Sequence, residues 1–433
     1  MANPGASSNA GDVIDVDGSM YEGGGGLIRY ATSYSSLLNK PIRIHSIRAN
    51  RPGVQGLRFE HTVAIDMLRQ LAAASVQGNT ARSPELQFIP HSDPEILGKQ
   101  TQTRMDISSE GAASILLIAL LPYMLFSHIA PQVSQSGPTF ADDQAFELVI
   151  RAGTLCMKAP SIFYMRHVLL PTLNLIGIGD ENLSLSKEHE QGWHTEGVKY
   201  PGKIVVRVKP LAQPLPSFIL EERGQIRKLR ATAHIPPEVR KDFKERLHVE
   251  LTDVLSTRNT QTSHIEVDAD VFESAAPGQY HLLLSVETAL PTAFLGYEEV
   301  YPQTDRFPSE IEEDSGKIAE YLIRGCIRGI WKELRRGNAV DEHAEDILVM
   351  YQTLASGFSS VESGHNERPV QEFNLNSNSL SESGRIYDIN ASTMHRQTSW
   401  SVAKLMTNIQ LENCVRNGKE LHGCNGIALG HVN

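Results

Sequence analysis

The segment that decides the fold is Asp17-Gly18-Ser19-Met20-Tyr21-Glu22-Gly23-Gly24-Gly25-Gly26-Leu27-Ile28-Arg29. It follows Val13–Val16, which is typical of a short strand, and it leads into a helix-like run. Consecutive glycines let backbone N–H groups wrap closely around an anion, and a helix N-terminus adds a favourable dipole. The segment is neither a Walker A loop nor a GxGxxG fingerprint. On composition alone, a phosphate cradle and a mobile glycine turn both stay open.

Strand-like and helix-like segments alternate along the first 210 residues. Pro41–Ile47 alternates apolar and polar residues as a strand does, and Glu60–Ala74 carries apolar residues at helical spacing. The same patterns predict strands at Leu86–Ile89, Phe146–Ile150 and Lys203–Val208, and helices at Gly111–Phe126 and Ile162–Leu175. Gly111–Phe126 is shorter than the roughly 20 residues of a spanning helix, which predicts a buried core helix. The alternation predicts an α/β protein of structurally similar units, although no internal sequence identity proves a repeat.

Changes in composition predict the domain boundaries. Residues 1–12 are small and polar and are expected to be disordered, and residues 13–210 form the first part of a repeat domain. Three prolines in Pro210–Pro216 and a densely charged region after them mark an inserted α/β domain over residues 211–302. Its predicted elements are strands at Phe218–Glu222, Ala231–His234, His264–Val267 and His281–Glu287, and a helix at Pro237–Leu247.

The last part of the repeat domain is predicted over residues 303–433. Acidic residues after Pro308 are typical of a helix start and predict a helix over Ser309–Leu334. Further helices are expected from near Asp341 and at Met394–Met406, with a flexible loop at Gly357–Asn378 between them.

Charge and cysteine content exclude several functional classes. With 40 Lys and Arg against 51 Asp and Glu, the net charge is −11, so any nucleic-acid contact should be local rather than broad. The four cysteines lack CxxC spacing, and the N-terminus has no apolar stretch typical of a secretory signal. An intracellular, reducing compartment without membrane contact is therefore expected.

Three further segments carry residues suited to chemistry. A basic patch of Lys40, Arg43, Arg48, Arg51 and Arg58 suits forked recognition of phosphate, with surface solubility as the alternative. Residues 394–399 place His395 at a helix start, where it suits a base, a nucleophile or a metal ligand, but it is one of 16 histidines. Residues 341–346 suit a metal, an adenine-ribose pocket or simply a charged helix start.

Taken together and in order, these segments resemble the RNA 3′-terminal phosphate cyclase family. Residues 17–29 resemble its opening glycine signature, and residues 47–61 resemble the segment that follows it. Weaker matches at Gly111–Pro122, Gly153–Pro160, Asp341–Asp346 and His395–Thr398 extend the resemblance over nearly the whole chain. The resemblance implies three repeated units, each of two helices on a four-stranded sheet, with a small inserted α/β domain.

The resemblance also implies an activity: ATP-dependent conversion of an RNA 3′-phosphate end to a 2′,3′-cyclic phosphate, with Mg²⁺ or Mn²⁺. His395 matches the histidine that the family adenylates. The nucleotide-binding positions are matched by Glu22, Gly23, Gly24, Gly25, Pro160, His343 and Asp346, of which Glu22 also matches a metal contact. The phosphate and RNA-end positions are matched by Arg29, Arg48, Arg51 and His61. The resemblance implies a nuclear location, with the cytoplasm as the alternative, and it leaves the oligomeric state open.

Four residues depart from the family pattern. Gly26, Glu60, Ile118 and Ile347 stand where the family has glutamine. A lost hydrogen bond in a buried pocket is worth about 0.5–1.5 kcal/mol net. These departures favour the alternative of a catalytically degenerate, cyclase-like RNA-binding protein of ribosome biogenesis, whereas retention of His395 favours the enzyme. An unrelated α/β enzyme that shares only the repeat fold is the third interpretation.

Overall fold

A computed structural model describes most of the chain. The described residues are 13–21, 23–51, 53–93, 104–127, 145–256, 265–303, 307–308, 311, 314–362, 393–416 and 418–430. The segment predicted to be disordered, residues 1–12, lies outside them, as do Glu22, His264 and residues 363–378 of the predicted flexible loop.

The described residues form both helices and mixed sheets, and the α/β class is confirmed. The strands are β1 (Ile14–Asp17), β2 (Ile42–His45), β3 (Ser75–Gln77), β4 (Leu86–Ile89), β5 (Arg104–Ala112), β6 (Phe146–Gly153), β7 (Leu155–Cys156), β8 (Leu183–Leu185), β9 (Trp193–Thr195), β10 (Val198–Tyr200), β11 (Gly202–Val208), β12 (Ile226–Ile235), β13 (Glu266–Glu273), β14 (Tyr280–Thr288), β15 (Phe294–Tyr301), β16 (Ser356–Glu362), β17 (Glu412–Arg416) and β18 (Lys419–Ile427). The helices are α1 (Gly25–Leu38), α2 (Phe59–Leu71), α3 (Ala113–Phe126), α4 (Ile162–Tyr164), α5 (Leu170–Leu175), α6 (Arg240–Ser256), α7 (Ser315–Arg336), α8 (Glu342–Leu354) and α9 (Met394–Thr407). A π-helical turn, Met165–Leu169, joins α4 to α5, and a 3₁₀ turn, Pro237–Val239, precedes α6.

Two four-stranded sheets have the same strand arrangement. In the order β1-β2-β4-β3 the first pair is parallel and the other two pairs are antiparallel. The order β5-β6-β11-β8 repeats these directions. A third sheet has the order β16-β18-β17, and residues Pro216 and Ile219 form parallel bridges to Ser356 and Ser360 of its first strand. Three complete repeated units remain a prediction.

The main hydrophobic core lies between these sheets and the helices α1, α2, α3, α8 and α9. Helix α3 is apolar all round and nearly all its residues are buried, which agrees with the predicted core helix. No helix among the described residues is long and apolar enough to cross a membrane.

A second core lies under the sheet β13-β12-β14-β15. Its apolar residues come from this sheet, from α6 and from α7, including Ile318, Leu322 and Ile330. The boundary predicted at residue 302 separates α7 from the sheet on which it packs. We therefore propose that the inserted domain continues to Arg336, and that the last repeat part begins after it.

Three predicted elements differ in the structure. The strand predicted at Phe218–Glu222 is not formed, and Ile219 makes only an isolated parallel bridge to Ser360. Helix α7 begins at Ser315 rather than Ser309, because the Asp314 carboxylate accepts hydrogen bonds from Gly316 N and Lys317 N, both at 3.0 Å. The start of the predicted loop at Gly357 is instead part of β16, which pairs with β18. Its Ser- and Gly-rich sequence carries little strand propensity, so long-range pairing decides its conformation.

Candidate functional site

The glycine segment forms a tight turn between β1 and α1. Gly23 has a φ of +56° and its N–H donates to Met20 O at 2.7 Å, so this position favours glycine. Gly24 is the N-cap of α1 and offers no side chain to the first turn. At Gly25, an added Cβ would stand 2.3 Å from His61 Nε2. The glycines thus bring the start of α1 against a histidine of α2.

The basic segment after β2 packs against the same turn. Arg48 N donates to Gly18 O at 3.2 Å, and Asn50 Nδ2 donates to Ser19 O at 3.2 Å. Arg51 N donates to Arg48 O at 3.1 Å, which closes a turn that contains both arginines. These hydrogen bonds place Arg48 and Arg51 beside the glycine turn, although about 25 residues of sequence separate them from it.

Buried arginine atoms at this turn lack acceptors. The Nε atoms of Arg29 and Arg48 are buried, and neither has a hydrogen-bond partner within the described part of the chain. Burial lowers the pKa of both guanidinium groups, and the positive charge of Arg58 adds to the effect on Arg48. Burial also lowers the pKa of Arg51. Arginine nevertheless stays protonated at neutral pH. Buried cationic donors of this kind fit an anion with several oxygens, such as a polyphosphate.

His61 supplies a neutral donor beside these charges. Its Nδ1 accepts a hydrogen bond from Arg58 N at 3.1 Å, so the proton of the neutral ring is assigned to Nε2, next to Gly25. Burial, together with the charges of Arg29, Arg48 and Arg58, lowers the pKa of His61 to about 3. His61 is thus an uncharged imidazole at neutral pH and donates through Nε2.

His395 lies in the first turn of α9, whose N-cap Thr393 accepts from Arg396 N through Oγ1 at 3.1 Å. The residue is exposed, yet surrounding atoms remove part of its hydration and lower its pKa. The negative charge of Asp346 opposes that shift, and the charges of Arg29 and Arg51 add to it. His395 therefore lies within the electrostatic influence of Asp346, Arg29 and Arg51, and its lowered pKa favours the neutral imidazole.

Asp346 connects this histidine to α1. Burial raises the pKa of the Asp346 carboxyl, while the charges of His395, His343 and Arg29 act in the opposite direction. Tyr30 Oη lies 3.5 Å from Asp346 Oδ2, across 316 residues of sequence. Tyr30 was not among the predicted site residues, because nothing in the local sequence shows that α1 and α8 meet here.

Asp341 and Glu345 have structural roles instead. The Asp341 carboxylate accepts from His343 N at 3.1 Å and Ala344 N at 2.9 Å as the N-cap of α8. Glu345 pairs with Arg336 at 2.6 Å. The charged helix start is therefore the correct interpretation for these two acids, and His343 and Asp346 remain as site candidates.

The segment that carries Pro160 meets α8 through Tyr164. Tyr164 Oη donates to Asp341 Oδ1 at 2.5 Å, and its ring packs edge-on against His343 with the centroids 6.0 Å apart. Pro160 O accepts from Ser114 Oγ at 2.5 Å. The structure thus joins the elements that carry Pro160, His343 and Asp346.

The four departures from the family pattern have different surroundings. At Gly26 the nearest atoms to an added Cβ are 3.7 Å away or farther, so there is room for a side chain. Glu60 lies 3.6 Å from Arg58 Nη1. Ile118 and Ile347 are buried in the main core, where their side chains contribute apolar contacts.

The predicted metal contact, Glu22, lies outside the described residues. Within the residues that the structure does describe, no group of three His, Cys, Asp or Glu side chains is arranged to hold a metal ion. Mg²⁺ commonly binds through only one or two carboxylates together with phosphate oxygens and water. The metal therefore stays a prediction.

Proteins of one known family are similar to this chain over most of its length. The family model for RNA 3′-terminal phosphate cyclase matches residues 20–412. The chain is 29% identical to a protein of Staphylothermus marinus named RNA 3′-terminal phosphate cyclase, over 80% of this chain and 86% of the relative. Proteins of the same name from Desulfurococcus amylolyticus (29% identity, 81% and 87% covered) and Sulfurisphaera tokodaii (27% identity, 80% and 88% covered) also match.

Proposed function

The chain belongs to the RNA 3′-terminal phosphate cyclase family, and on that premise we propose that it converts an RNA 3′-phosphate end to a 2′,3′-cyclic phosphate through an AMP-modified His395. One observation carries the proposal: His395 is exposed at a helix start and lies in the combined field of Asp346, Arg29 and Arg51. The family uses ATP, and the buried arginine donors suit its phosphates.

The first step is attack of a ring nitrogen of His395 on the α-phosphorus of ATP. An N–P bond forms, the bond to the bridging oxygen breaks, and pyrophosphate leaves with that electron pair. Arg29 and Arg48 neutralise charge on the phosphates, and His61 donates through Nε2. These residues are held in place before the substrate binds, so little reorganisation is needed during the reaction.

The second and third steps transfer AMP and close the ring. An oxygen of the RNA 3′-phosphate attacks the AMP phosphorus, and the N–P bond to His395 breaks. The vicinal 2′-hydroxyl then attacks the activated 3′-phosphorus, AMP leaves with the bonding pair, and the hydroxyl proton passes to water. Asp346 stabilises the positive charge that His395 gains while it carries AMP.

A divalent ion, Mg²⁺ or Mn²⁺, is proposed as the partner of the nucleotide phosphates. Such an ion supplies neutralisation of negative charge when it is bound. Glu22 is the residue proposed to contact it.

Incubation with α-labelled ATP and either metal tests the proposal. We expect an acid-labile, hydroxylamine-stable protein–AMP bond that maps to His395 and that His395→Ala abolishes. His248→Ala is the matched control, because His248 is an exposed histidine on α6 of the inserted domain. Labelling that survives in His395→Ala would exclude His395 as the nucleophile.

A second candidate function is a catalytically degenerate RNA-binding protein acting in ribosome biogenesis. The observation that favours it is the apolar burial of Ile118 and Ile347, where the family pattern has amides. This second function predicts two results for the wild-type protein. It forms no AMP adduct with any nucleotide or metal, and it co-sediments with pre-ribosomal RNA and small-subunit assembly factors. The matched relatives are archaeal, so a nuclear location stays a prediction.

A further inference from the structure

A cavity of about 470 Å³ lies beside the proposed site and has no role in the steps above. This volume is within the range of about 300–1,000 Å³ that is usual for ligand pockets. Its walls come from the start of α2, from β5 and β6, and from the β9–β11 region. The lining residues are Phe59, Ser108, Ser109, Glu110, Arg151, Gly153, Trp193, Lys199, Tyr200 and Pro201.

Aromatic surface is the first notable property of this cavity. Phe59 and Tyr200 are 52% and 51% exposed, although large aromatic side chains are usually well covered. Trp193 is completely buried, and its Nε1 has no hydrogen-bond partner among the residues described. Trp193 therefore forms part of the wall, and Phe59 and Tyr200 are the aromatic rings that a ligand can reach.

Positive charge at the rim is the second property. Lys199 Nζ lies 2.7 Å from Glu110 Oε2, and Arg151 Nη1 lies 3.6 Å from Asp106 Oδ1. All four side chains are about half exposed or more. Exposed ion pairs are weak, so an incoming phosphate can replace either carboxylate at little cost.

The cavity adjoins the segment that carries His61 of the proposed phosphate site. Phe59 is the first residue of α2, directly after Arg58, whose N–H donates to His61 Nδ1 at 3.1 Å. On the other wall, an added Cβ at Gly111 would lie 2.6 Å from Glu60 Cβ, so the end of β5 packs directly on the first turn of α2. Phe59 therefore lies within one turn of His61 on α2, and an RNA whose 3′ end is bound at His61 can extend into the cavity.

We propose that this cavity binds a nucleobase of single-stranded RNA, from a nucleotide adjacent to the 3′-phosphate end. The base stacks on Tyr200 or Phe59, and Lys199 or Arg151 binds the adjoining backbone phosphate. Stacking on aromatic rings combined with cationic contacts to the backbone is typical of single-strand recognition. The inference rests on the proposed function, because it names a binding site for the same substrate.

Binding of a short single-stranded RNA with a 3′-phosphate to the full-length protein tests the inference. The RNA carries 2-aminopurine next to its terminal nucleotide, so that stacking quenches its fluorescence, and anisotropy of a 5′ dye gives the affinity. We expect at least one of Tyr200→Ala and Phe59→Ala, the variant that removes the stacked ring, to weaken binding at least about 5-fold, the minimum for loss of one stacked base, and to reduce the quenching. Tyr200→Phe keeps the ring and should bind as the wild type does.

Matched controls lie on the inserted domain. Phe272→Ala removes a phenylalanine that is 46% exposed, and Lys241→Ala removes an exposed lysine paired with Glu245, as Lys199 is paired with Glu110. Neither should change RNA affinity, whereas Lys199→Ala should lower it and reduce its salt dependence. Circular dichroism of each variant confirms folding.

The two proposals fail separately, since RNA binding is measured without ATP. Affinity and quenching that do not change in Tyr200→Ala and Phe59→Ala overturn the cavity assignment, even when His395 is labelled. Wild-type protein that binds no RNA also overturns it. Loss of affinity in these variants, in a protein that never forms the AMP adduct, supports the cavity and contradicts the proposed catalysis.

Discussion

Replacing Asp341 by alanine tests the polar anchor that positions α8 and therefore His343 and Asp346. Asp341 is fully buried. Besides the two amides of its own helix, it accepts hydrogen bonds from Tyr164 Oη at 2.5 Å and from Gly296 N at 2.7 Å. One carboxylate therefore joins three elements that are distant in sequence.

The magnitude follows from those four bonds. Loss of the N-cap costs about 1 kcal/mol. The Tyr164 hydroxyl and the Gly296 amide become buried donors without an acceptor, at about 1–3 kcal/mol each. Burial raises the pKa of the Asp341 carboxyl, so its removal also relieves a desolvation cost that offsets part of this loss. We expect a net loss of unfolding free energy of about 2–5 kcal/mol.

Asp314→Ala is the matched control. Asp314 also caps a helix through two amides at 3.0 Å, but it is half exposed, and its further contact is an exposed ion pair with Lys317 Nζ at 3.7 Å. Its removal should cost about 1 kcal/mol. Urea unfolding followed by circular dichroism gives both values, and hydrogen exchange of the α8 amides shows whether the loss is local. A cost for Asp341→Ala no larger than that for Asp314→Ala would refute the reasoning.

Two further predictions concern the glycine-histidine contact. Because the folded pKa of His61 is about 3 and the unfolded value is about 6.5, the unfolded chain binds an extra proton between these pH values. The free energy of unfolding therefore decreases as the pH falls through this window, and His61 accounts for at most about 4–5 kcal/mol of the decrease. We measure the free energy of unfolding by urea between pH 7 and 3. It should decrease less steeply with falling pH in His61→Gln than in the control His248→Gln, and equal slopes would contradict the prediction. Gly25→Ala places a Cβ 2.3 Å from His61 Nε2, whereas Gly26→Ala meets nothing closer than 3.7 Å. We expect AMP labelling to fall at least about 10-fold in Gly25→Ala and to persist in Gly26→Ala, and equal labelling would contradict the close contact.

Elements with strong local periodicity were predictable from sequence. Strand β4 has the predicted bounds, and α3 and α9 lie within one or two residues of the predicted ones. Their patterns are local: α3 is an almost continuous apolar run, and α9 follows a Thr393 cap. Where local and tertiary preferences compete, the prediction was wrong, as at β16, whose serines pair with β18.

The site divides in the same way. Arg29, Arg48, His61 and His395 came from colinear resemblance to a family, and the structure brings their segments together. Tyr30 and Tyr164 were missed because their partners lie 316 and 177 residues away. The residues around a helical tyrosine do not indicate that its hydroxyl contacts a carboxylate far away in the sequence. The same holds for α7, whose packing on the inserted sheet depends on contacts beyond any local pattern.

The inserted domain also contributes to the geometry of the site, through β15. Gly296 N donates to Asp341 at the start of α8, and Glu298 Oε1 accepts from Ser161 N at 2.7 Å at the start of α4. The other carboxylate oxygen of Glu298, Oε2, lies 3.0 Å from Nε2 of the buried His281. At Gly296 an added Cβ would lie 2.8 Å from Val168 and 3.0 Å from Tyr164, so this approach depends on glycine. One strand of the insert thus holds the first turn of α4, which follows Pro160, and the first turn of α8, which carries His343 and Asp346. A chain without the insert would leave Asp341 and Ser161 without these partners, so the inserted domain is joined directly to the segments proposed to bind the nucleotide.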